Sequence, residues 1–304
     1  MTPTLPGTPT SPETPETPET RAHRDIDPAG TSRGPATGST MVASDLDRTL
    51  IYSAAALALD MPDAEAPRLL CVEVYQAKPL SYVTETAAGL LAELAARAVF
   101  VPTTTRTREQ YARIRLPGPA ARFTICANGG HLLVDGESDP EWQRTVADRL
   151  GAECAPLAEV REHLRAAADS SWLLKERVAE DLFAYLVVDR SLLPANWVKE
   201  LAEWAGPLGW RVSLQGRKVY AVPQPLTKSA AVAEVARRTG ATRVLGAGDS
   251  LLDADLLQAA DGGWQPGHGE LAETGWTAPH IARLPETGVS AGERILREAL
   301  RVVD

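Results

Sequence analysis

The feature of this sequence that most restricts its fold is an alternation, from Met41 onward, of short apolar runs with longer amphipathic stretches. Four runs have the length and composition of buried strands: residues 41–44, 98–102, 123–127 and 243–246. Between them, apolar residues recur at helical spacing over residues 86–97 and 230–238. Strands that alternate with helices build a parallel sheet whose faces are covered by the helices. The sequence therefore predicts an α/β fold with a Rossmann-like parallel sheet as its core.

Residues 131–222 break this rhythm. They predict a helix followed by two strands, and this order occurs twice. The first set is a helix at 157–168 with strands at 172–178 and 182–188, and the second is a helix at 194–204 with strands at 210–214 and 218–222. The last two runs flank Gly216 and predict a hairpin. We therefore predict an inserted α/β domain at residues 131–222, between two parts of the core at residues 39–130 and 223–304.

Residues 1–38 are dominated by Thr, Pro, Glu, Gly and Ser, and they contain the repeat PETPETPET. Such a segment has too little apolar surface to offset the entropy lost on folding. We predict a disordered tail, which is either a partner-binding arm or a dispensable extension that precedes a natural start at Met41.

Charge and composition narrow the choice of partners. The formal net charge is −9, so the overall field of the protein repels nucleic acid and anionic membranes. No run approaches the roughly 18 apolar residues of a membrane span, and the three cysteines lack the spacing of a metal site or a redox pair. We expect a soluble cytoplasmic protein that acts on a small molecule.

Two acidic clusters follow predicted strands. Asp45 and Asp47 come directly after the first run, and Asp249 and Asp253 follow the run that ends at residue 246. Because the carboxyl ends of parallel strands meet at one edge of the sheet, we expect the two clusters to lie close together. If a helix opens at Asp249, the spacing of Asp249 and Asp253 places them on one face. Clustered carboxylates favour a hard cation, and oxygen ligands of this kind suit Mg2+.

Phosphate-binding groups follow strands in the same way. The run TTTR at residues 103–106 offers hydroxyls, backbone amides and a cation after the second predicted strand. Lys228 precedes a predicted helix, where its ammonium would neutralise a carboxylate and a phosphate. Taken singly, each motif also fits a solvated turn, a helix cap or a surface lysine. Their shared position at the sheet edge favours a phosphate and metal site.

Together these motifs resemble those of the haloacid dehalogenase (HAD) superfamily, in order and in strand context. The resemblance covers the chain from Met41 onward and rests on six residues: Asp45, Asp47, Thr104, Lys228, Asp249 and Asp253. The insertion resembles the C2B-type cap of Cof-type sugar phosphatases, sucrose-phosphate phosphatases and phosphomannomutases. The run DLDRTLIY at residues 45–52 is similar to that of an actinobacterial group found beside stress and tellurium-resistance genes.

The resemblance implies a role for each matched residue. Asp45 would be the nucleophile, and Asp47 would be the general acid and base. Thr104 and Lys228 would bind the phosphoryl oxygens. Four residues would hold Mg2+: Asp45, Asp47 through its backbone carbonyl, Asp249 and Asp253.

Secondary matches imply substrate-binding residues. Thr105 and Arg106 stand where the family often has the end of a Thr-Gly-Arg run, and Asn128 belongs to the Asn-Gly pair that leads into such caps. In the cap, four cations are candidates to meet a second anionic or polar group of the substrate: Lys175, Arg177, Arg217 and Lys218. Two residues depart from the family pattern: Arg48, in place of the usual glycine, and Leu252, in place of a frequent asparagine.

The second acid of the first motif, Asp47, is typical of phosphatases and phosphomutases and is lacking in metal-free dehalogenases. The resemblance therefore implies a Mg2+-dependent phosphomonoester hydrolase that forms an aspartyl phosphate and acts on a small, sugar-phosphate-like metabolite. Two alternatives stay open: a phosphomutase on the same scaffold, and a non-catalytic phospholigand-binding protein.

Overall fold

The computed structural model describes residues 40–303. The disordered tail predicted at residues 1–38 lies outside the described residues, and so does the predicted start of the core at residue 39. No helix of residues 40–303 combines the length and the apolar character that a membrane crossing requires.

The described part of the chain forms both strands and α-helices. Its strands are β1 (Thr40–Ser44), β2 (Leu69–Tyr75), β3 (Lys78–Thr84), β4 (Val99–Pro102), β5 (Phe123–Cys126), β6 (His131–Val134), β7 (Glu137–Ser138), β8 (Leu173–Ala179), β9 (Phe183–Val188), β10 (Trp210–Gln215), β11 (Lys218–Pro223), β12 (Arg243–Ala247), β13 (Gly262–Gln265) and β14 (Ile281–Arg283). Its helices are α1 (Glu85–Arg97), α2 (Arg108–Tyr111), α3 (Pro140–Glu153), α4 (Leu157–Ala167), α5 (Trp197–Ala205), α6 (Lys228–Thr239), α7 (Ala254–Ala259), α8 (Glu270–Thr274) and α9 (Gly288–Val303).

The central sheet has the order β14-β13-β12-β1-β4, and all of its pairings are parallel. Its strand β1, which lies between β12 and β4, is apolar on both faces. Met41 and Ala43 pack into one buried cluster together with α6, whereas Val42 packs into a second cluster together with α1 and α9. Side chains of a strand alternate between faces, so this double burial explains the continuous apolar run. The predicted α/β parallel-sheet core is confirmed.

The run at residues 123–127 joins this sheet less directly than the other three. As β5, it touches the extension of β4 through one parallel bridge between Thr103 and Ile125. Its main partner is β6, which runs antiparallel to it, and β7 completes this small sheet.

A second large sheet lies within the predicted insertion. It has the antiparallel order β10-β11-β9-β8, and α4 and α5 precede its two strand pairs in the chain. The helix–strand–strand order therefore occurs twice, as predicted, and it is preceded by α3, which the prediction did not include. We refer to these elements, α3 to β11, as the cap. The boundaries 131 and 222 themselves stay a prediction.

An antiparallel hairpin of β2 and β3 separates β1 from α1 and was not predicted. Its turn residues, Gln76 and Ala77, both have positive φ angles, of 50° and 59°. Turns of this type usually contain Asn or Gly, so the sequence carried no hairpin signal here. The hairpin matters because it brings a buried acid, Glu73, toward the edge of the central sheet.

Candidate active site

Asp45 follows β1 directly and lies at the carboxyl edge of the central sheet. Its backbone N–H donates to the carbonyl of Ala247, at the end of neighbouring β12, over 2.9 Å. Its side chain accepts from Lys228 Nζ at 2.6 Å and from Thr49 Oγ1 at 3.2 Å. Only 6% of Asp45 is exposed, and this burial raises the pKa of its carboxyl to about 7, against the opposing pull of Lys228.

Lys228 is fully buried at the first position of α6, behind the N-cap Thr227. Its ammonium donates to Asp45 Oδ1 at 2.6 Å and to Asp253 Oδ1 at 2.5 Å. Burial favours the neutral amine, but the charges of Asp253 and Asp45 outweigh it and raise the pKa of Lys228. A permanent cation therefore joins the two acidic motifs that the sequence predicted to converge.

Three buried carboxylates converge at this edge. One oxygen of each of Asp45, Asp249 and Asp253 lies within 4.8 Å of the others. Burial, with the charges of Asp45 and Asp253, raises the pKa of Asp249 well above its ordinary value. A cation would relieve this repulsion, and the all-oxygen donor set fits Mg2+.

The three carboxylates are not equally free to bind a cation. Asp253 Oδ2 accepts from the backbone N–H groups of Asp249 and Ser250 and from Ser250 Oγ, while its Oδ1 accepts from Lys228. Asp45 and Asp249 are thus better placed for direct contact, and Asp253 for contact through water. The expectation that Asp249 and Asp253 share a helix face is wrong, because α7 begins only at Ala254 and Asp253 instead ties together the turn before it.

Two glycines make room for these carboxylates. A Cβ at Gly248 would meet the carboxyl carbon of Asp253 at 2.5 Å, and a Cβ at Gly269 would meet Oδ2 of Asp249 at 2.6 Å. Distances this short are not tolerated between non-bonded atoms. Gly269 also has a φ of 91°, which other residues rarely adopt.

Asp47 lies two residues beyond Asp45, but its side chain has different surroundings. It is 49% exposed and accepts two hydrogen bonds of 2.7 Å from Nε and Nη2 of Arg106. Burial of the carboxyl acts to raise its pKa, but the hydrogen bonds and charge of Arg106 outweigh this and lower it. The Asp47 side chain therefore lies outside the cluster of three buried carboxylates and lines a cleft.

The guanidinium of Arg106 is shared with a second acid. Its Nη1 donates to Glu73 Oε2 at 2.8 Å, and the same oxygen accepts from Ser81 Oγ at 2.6 Å. Glu73 is only 2% exposed and is also paired with Arg113 at 3.4 Å. The hairpin of β2 and β3 thus fixes the arginine that holds Asp47, a link that the sequence did not predict.

The remaining predicted residues are placed as follows. Thr105 lines the cleft beside Arg106, whereas Thr104 is fully buried and its hydroxyl accepts from the Arg106 N–H at 3.1 Å. Asn128 does not line the cleft. It is fully buried, and its Nδ2 donates to the carbonyl of Leu226 at 2.8 Å, joining the two chain segments between core and cap.

Arg48 occupies the position where the family usually has glycine. Its φ is 66°, in the left-handed region that glycine adopts without strain. His268 secures this backbone: its Nδ1 accepts from the Gly288 N–H at 3.2 Å, so its Nε2 carries the proton that is donated to the Arg48 carbonyl at 2.7 Å. The Arg48 side chain reaches to 3.6 Å from Asp249.

A cleft of about 640 Å³ opens between this edge of the central sheet and the cap. The core contributes Asp47, Arg106 and Asp249 to its lining, and the cap contributes Tyr185, Gln215, Arg217, Lys218 and Tyr220. Of the four cap cations proposed from the sequence, Arg217 and Lys218 line the cleft, but Lys175 and Arg177 do not.

A further acid of the cleft, Glu270, was missed by sequence reasoning. It opens α8, and its carboxylate accepts from the Leu251 N–H at 3.1 Å and from Ser213 Oγ of the cap at 3.2 Å. Burial raises the pKa of Glu270 to about 7, with smaller contributions from the charges of Asp253 and Glu273. Its place after β13, at the same sheet edge, was the available signal.

Known structures resemble this arrangement, although no protein-family model and no curated protein matches the sequence. The sucrose-phosphatase of Synechocystis, solved with sucrose and phosphate, matches with a TM-score of 0.61 at 17% identity, over 88% of this chain and 98% of that one. A sugar phosphatase of HAD subclass IIB matches with a TM-score of 0.52 at 12% identity, over 87% and 98%. This chain has the HAD fold.

Both matches cover nearly all of the known proteins' length, so the HAD fold extends to the cap as well as the core. A third structure, of a protein related to trehalose-6-phosphate phosphatase, matches with a TM-score of 0.50 at 17% identity, over 86% of this chain and 98% of that one. The finer kinship with the actinobacterial group stays a prediction.

Proposed function

We propose that this protein is a phosphomonoester hydrolase that uses Mg2+ and forms an aspartyl phosphate on Asp45. The observation that carries the proposal is the convergence of Asp45 with Lys228, Asp249 and Asp253 at the carboxyl edge of the sheet. A buried carboxylate beside a buried ammonium and a cation site suits attack on an anionic phosphate. The exposed face of Asp47, two residues away, supports a second role at the leaving group.

This geometry supports the following chemistry. A carboxylate oxygen of Asp45 attacks phosphorus, and the bond from phosphorus to the ester oxygen breaks. Asp47 gives its proton to that oxygen and then takes a proton from the water that hydrolyses the aspartyl phosphate. Lys228 offsets the negative charge gathered between Asp45 and the phosphoryl group. Mg2+, held by Asp45 and Asp249, would supply the remaining charge neutralisation.

Asp47 must hold a proton before it can act as an acid, whereas Arg106 lowers its pKa. An incoming phosphate dianion raises the pKa of Asp47 in two ways. Its charge disfavours a second anion beside it, and it competes for the guanidinium of Arg106. We infer that Asp47 gains its proton when the substrate binds, and that Arg106 then shares its hydrogen bonds with the phosphate, as a substrate-binding residue.

The cleft and the matching structures support a substrate class. A space of about 640 Å³ with tyrosines and polar cap residues fits a sugar-sized leaving group. The matching sucrose-phosphatase was solved with sucrose and phosphate, and the subclass IIB protein is a sugar phosphatase. These neighbours support a small, sugar-phosphate-like metabolite as the substrate.

Phosphate release from a panel of phosphorylated sugars, polyols and nucleotides, with and without Mg2+, tests the proposal. We expect Asp45→Asn to abolish turnover, because an amide is not a nucleophile for phosphorus. Asp148→Asn is a matched control, since Asp148 is exposed on α3 and does not line the cleft.

The same assay separates the alternatives. Isomerised sugar phosphate without free phosphate would identify a phosphomutase. Binding of phosphate esters with no turnover across the panel would identify a phospholigand-binding protein and would overturn the hydrolase proposal.

A further inference from the structure

The cap sheet presents one face to the cleft, and its register determines which residues share that face. Lys218 and Tyr220 alternate along β11 and therefore point the same way. Their cross-strand partners on β9 are Val187 and Tyr185. All four line the cleft, so the wall opposite the central sheet is built from two such pairs.

Lys218 is held by the aromatic part of this wall. Its Nζ lies 5.4 Å from the ring centre of Tyr185 and 5.9 Å from that of Tyr220, and the two rings are themselves 5.2 Å apart. Such contacts attract an ammonium and orient its stem without neutralising its charge. The side chain remains accessible to solvent within the cleft, so a ligand can reach it.

The cations of the cleft fall into two groups. Those of the core are paired: Arg106 with Asp47 and Glu73, and Arg48 with Asp249. Within residues 40–303, Lys218 and its neighbour Arg217 have no carboxylate within the 4.0 Å of an ion pair. Among the cations that line the cleft, positive charge outside an ion pair is therefore concentrated on the cap wall.

The position of Lys218 relates it to the leaving group. Lys218 lines the same cleft as Asp47. Its pKa is raised by Tyr220 and, from beyond ion-pair distance, by the charge of Asp47. Asp47 does not need this second cation, because Arg106 already binds both of its oxygens. Lys218 thus lines the cleft with Asp47 but is not paired with it, so its charge is available to the leaving group.

On the basis of the proposed function, we propose that Lys218, assisted by Arg217 and seated on Tyr185 and Tyr220, binds a second anionic group on the leaving group of the substrate. The substrate is then a phosphate ester whose polyol or sugar part also carries a carboxylate or a second phosphate. The core recognises the phosphate that is cleaved, and the cap wall recognises the additional charge.

Matched pairs of ligands test the proposal by competition against hydrolysis of p-nitrophenyl phosphate. 6-Phosphogluconate and glucitol 6-phosphate differ only by a carboxylate, and fructose 1,6-bisphosphate and fructose 6-phosphate differ by a phosphate. We expect the wild type to bind the more anionic member of at least one pair about tenfold more tightly, as a charge-assisted contact provides. The pair that shows the preference identifies the kind of anion.

Variants assign the preference to the cap wall. Lys218→Met and Lys218→Gln should each remove most of the preference, and Lys218→Arg should retain it because it keeps the charge. Lys199→Met is the control, since Lys199 is an exposed lysine on α5, outside the cleft. Added salt should weaken the preference in the wild type.

The outcomes separate this inference from the function on which it rests. One outcome is that p-nitrophenyl phosphate is hydrolysed in an Asp45-dependent way, but neither ligand pair shows a preference that Lys218→Met and Lys218→Gln reduce. The anionic subsite is then wrong, whereas the proposed phosphatase activity is retained. If no phosphate ester is hydrolysed, the proposed function fails and this inference fails with it.

Discussion

At the scale of single residues, the two acids of the first motif lie in opposite electrostatic surroundings. Asp45 is buried against Lys228, and burial raises its pKa to about 7, whereas Arg106 lowers the pKa of the half-exposed Asp47. Carboxylates of identical chemistry take different roles when their surroundings differ in this way. Asp45 belongs to the cluster of three buried carboxylates, whereas Asp47 lines the cleft, and this difference supports the proposed roles of nucleophile and acid.

In the proposed mechanism, Asp47→Asn removes the proton that an alkoxide leaving group requires. We expect kcat for an alkyl phosphate to fall by about 10²- to 10⁴-fold. The loss should be much smaller with p-nitrophenyl phosphate, because nitrophenolate leaves readily without a proton. Steady-state kinetics with both esters checks this, and equal losses with the two would show that Asp47 acts in some other way.

The position of a site residue along the chain determines whether it could be predicted from the sequence. Asp45 and Asp249 each follow a strand, so the geometry of a parallel sheet brings them together whatever the intervening sequence does. No such rule predicts the position of Glu73, because it lies within a strand whose hairpin carries no turn signal in the sequence. The resemblance to HAD proteins supplied Lys228, which a single lysine before a helix would not have revealed.

At the scale of elements, the hairpin of β2 and β3 acts as a support for the site. It places Glu73 between Arg106 and Arg113, and Ser81 of β3 donates to the same carboxylate. A carboxylate this deeply buried is tolerated because two guanidinium groups and a hydroxyl satisfy it. The hairpin thereby determines the orientation of Arg106 and, through it, of Asp47.

Glu73→Gln should therefore destabilise the protein. The substitution leaves two arginines facing a neutral amide, and breaking a buried pair of this kind costs about 3 kcal/mol of unfolding free energy. Urea denaturation measures the change, with the exposed Glu65→Gln as a control that should leave stability unaltered. Equal midpoints for the two variants would contradict the supporting role of the hairpin.

The elements themselves were predicted unevenly, for physical reasons. The strand β1 was recognisable because it is buried on both faces and so reads as an uninterrupted apolar run. The helix α3 was missed although Asp139 caps it and Pro140 opens it, because its apolar face is reduced to few residues, among them Trp142 and Val146. A short buried face gives a weak periodic signal.

At the scale of the whole molecule, polar contacts join core and cap at several points. Arg108 of the core donates from its backbone and its guanidinium to Glu180, in the turn between β8 and β9. Ser213 of β10 donates to Glu270 of the core. Together with the hydrogen bond from Asn128 to Leu226, these contacts hold the cap residues that line the cleft against the core.

The Glu270 contact makes the stability of the assembled protein depend on pH. The pKa of the folded glutamic acid is about 7, above its ordinary value of 4.5, so the folded protein binds this proton more tightly than the unfolded chain does. The resulting stabilisation is present below about pH 4.5 and is lost as the pH rises through about 7.

Glu270→Gln carries no such charge, so we expect its Tm to rise relative to that of the wild type between about pH 5 and pH 8 in metal-free buffer. Differential scanning calorimetry measures both curves, and Glu141→Gln, an exposed position on α3, should follow the wild type. Curves that stay parallel for Glu270→Gln and the wild type would mean that this carboxyl is already ionised in the folded protein at acidic pH, and that the core–cap contact does not respond to pH.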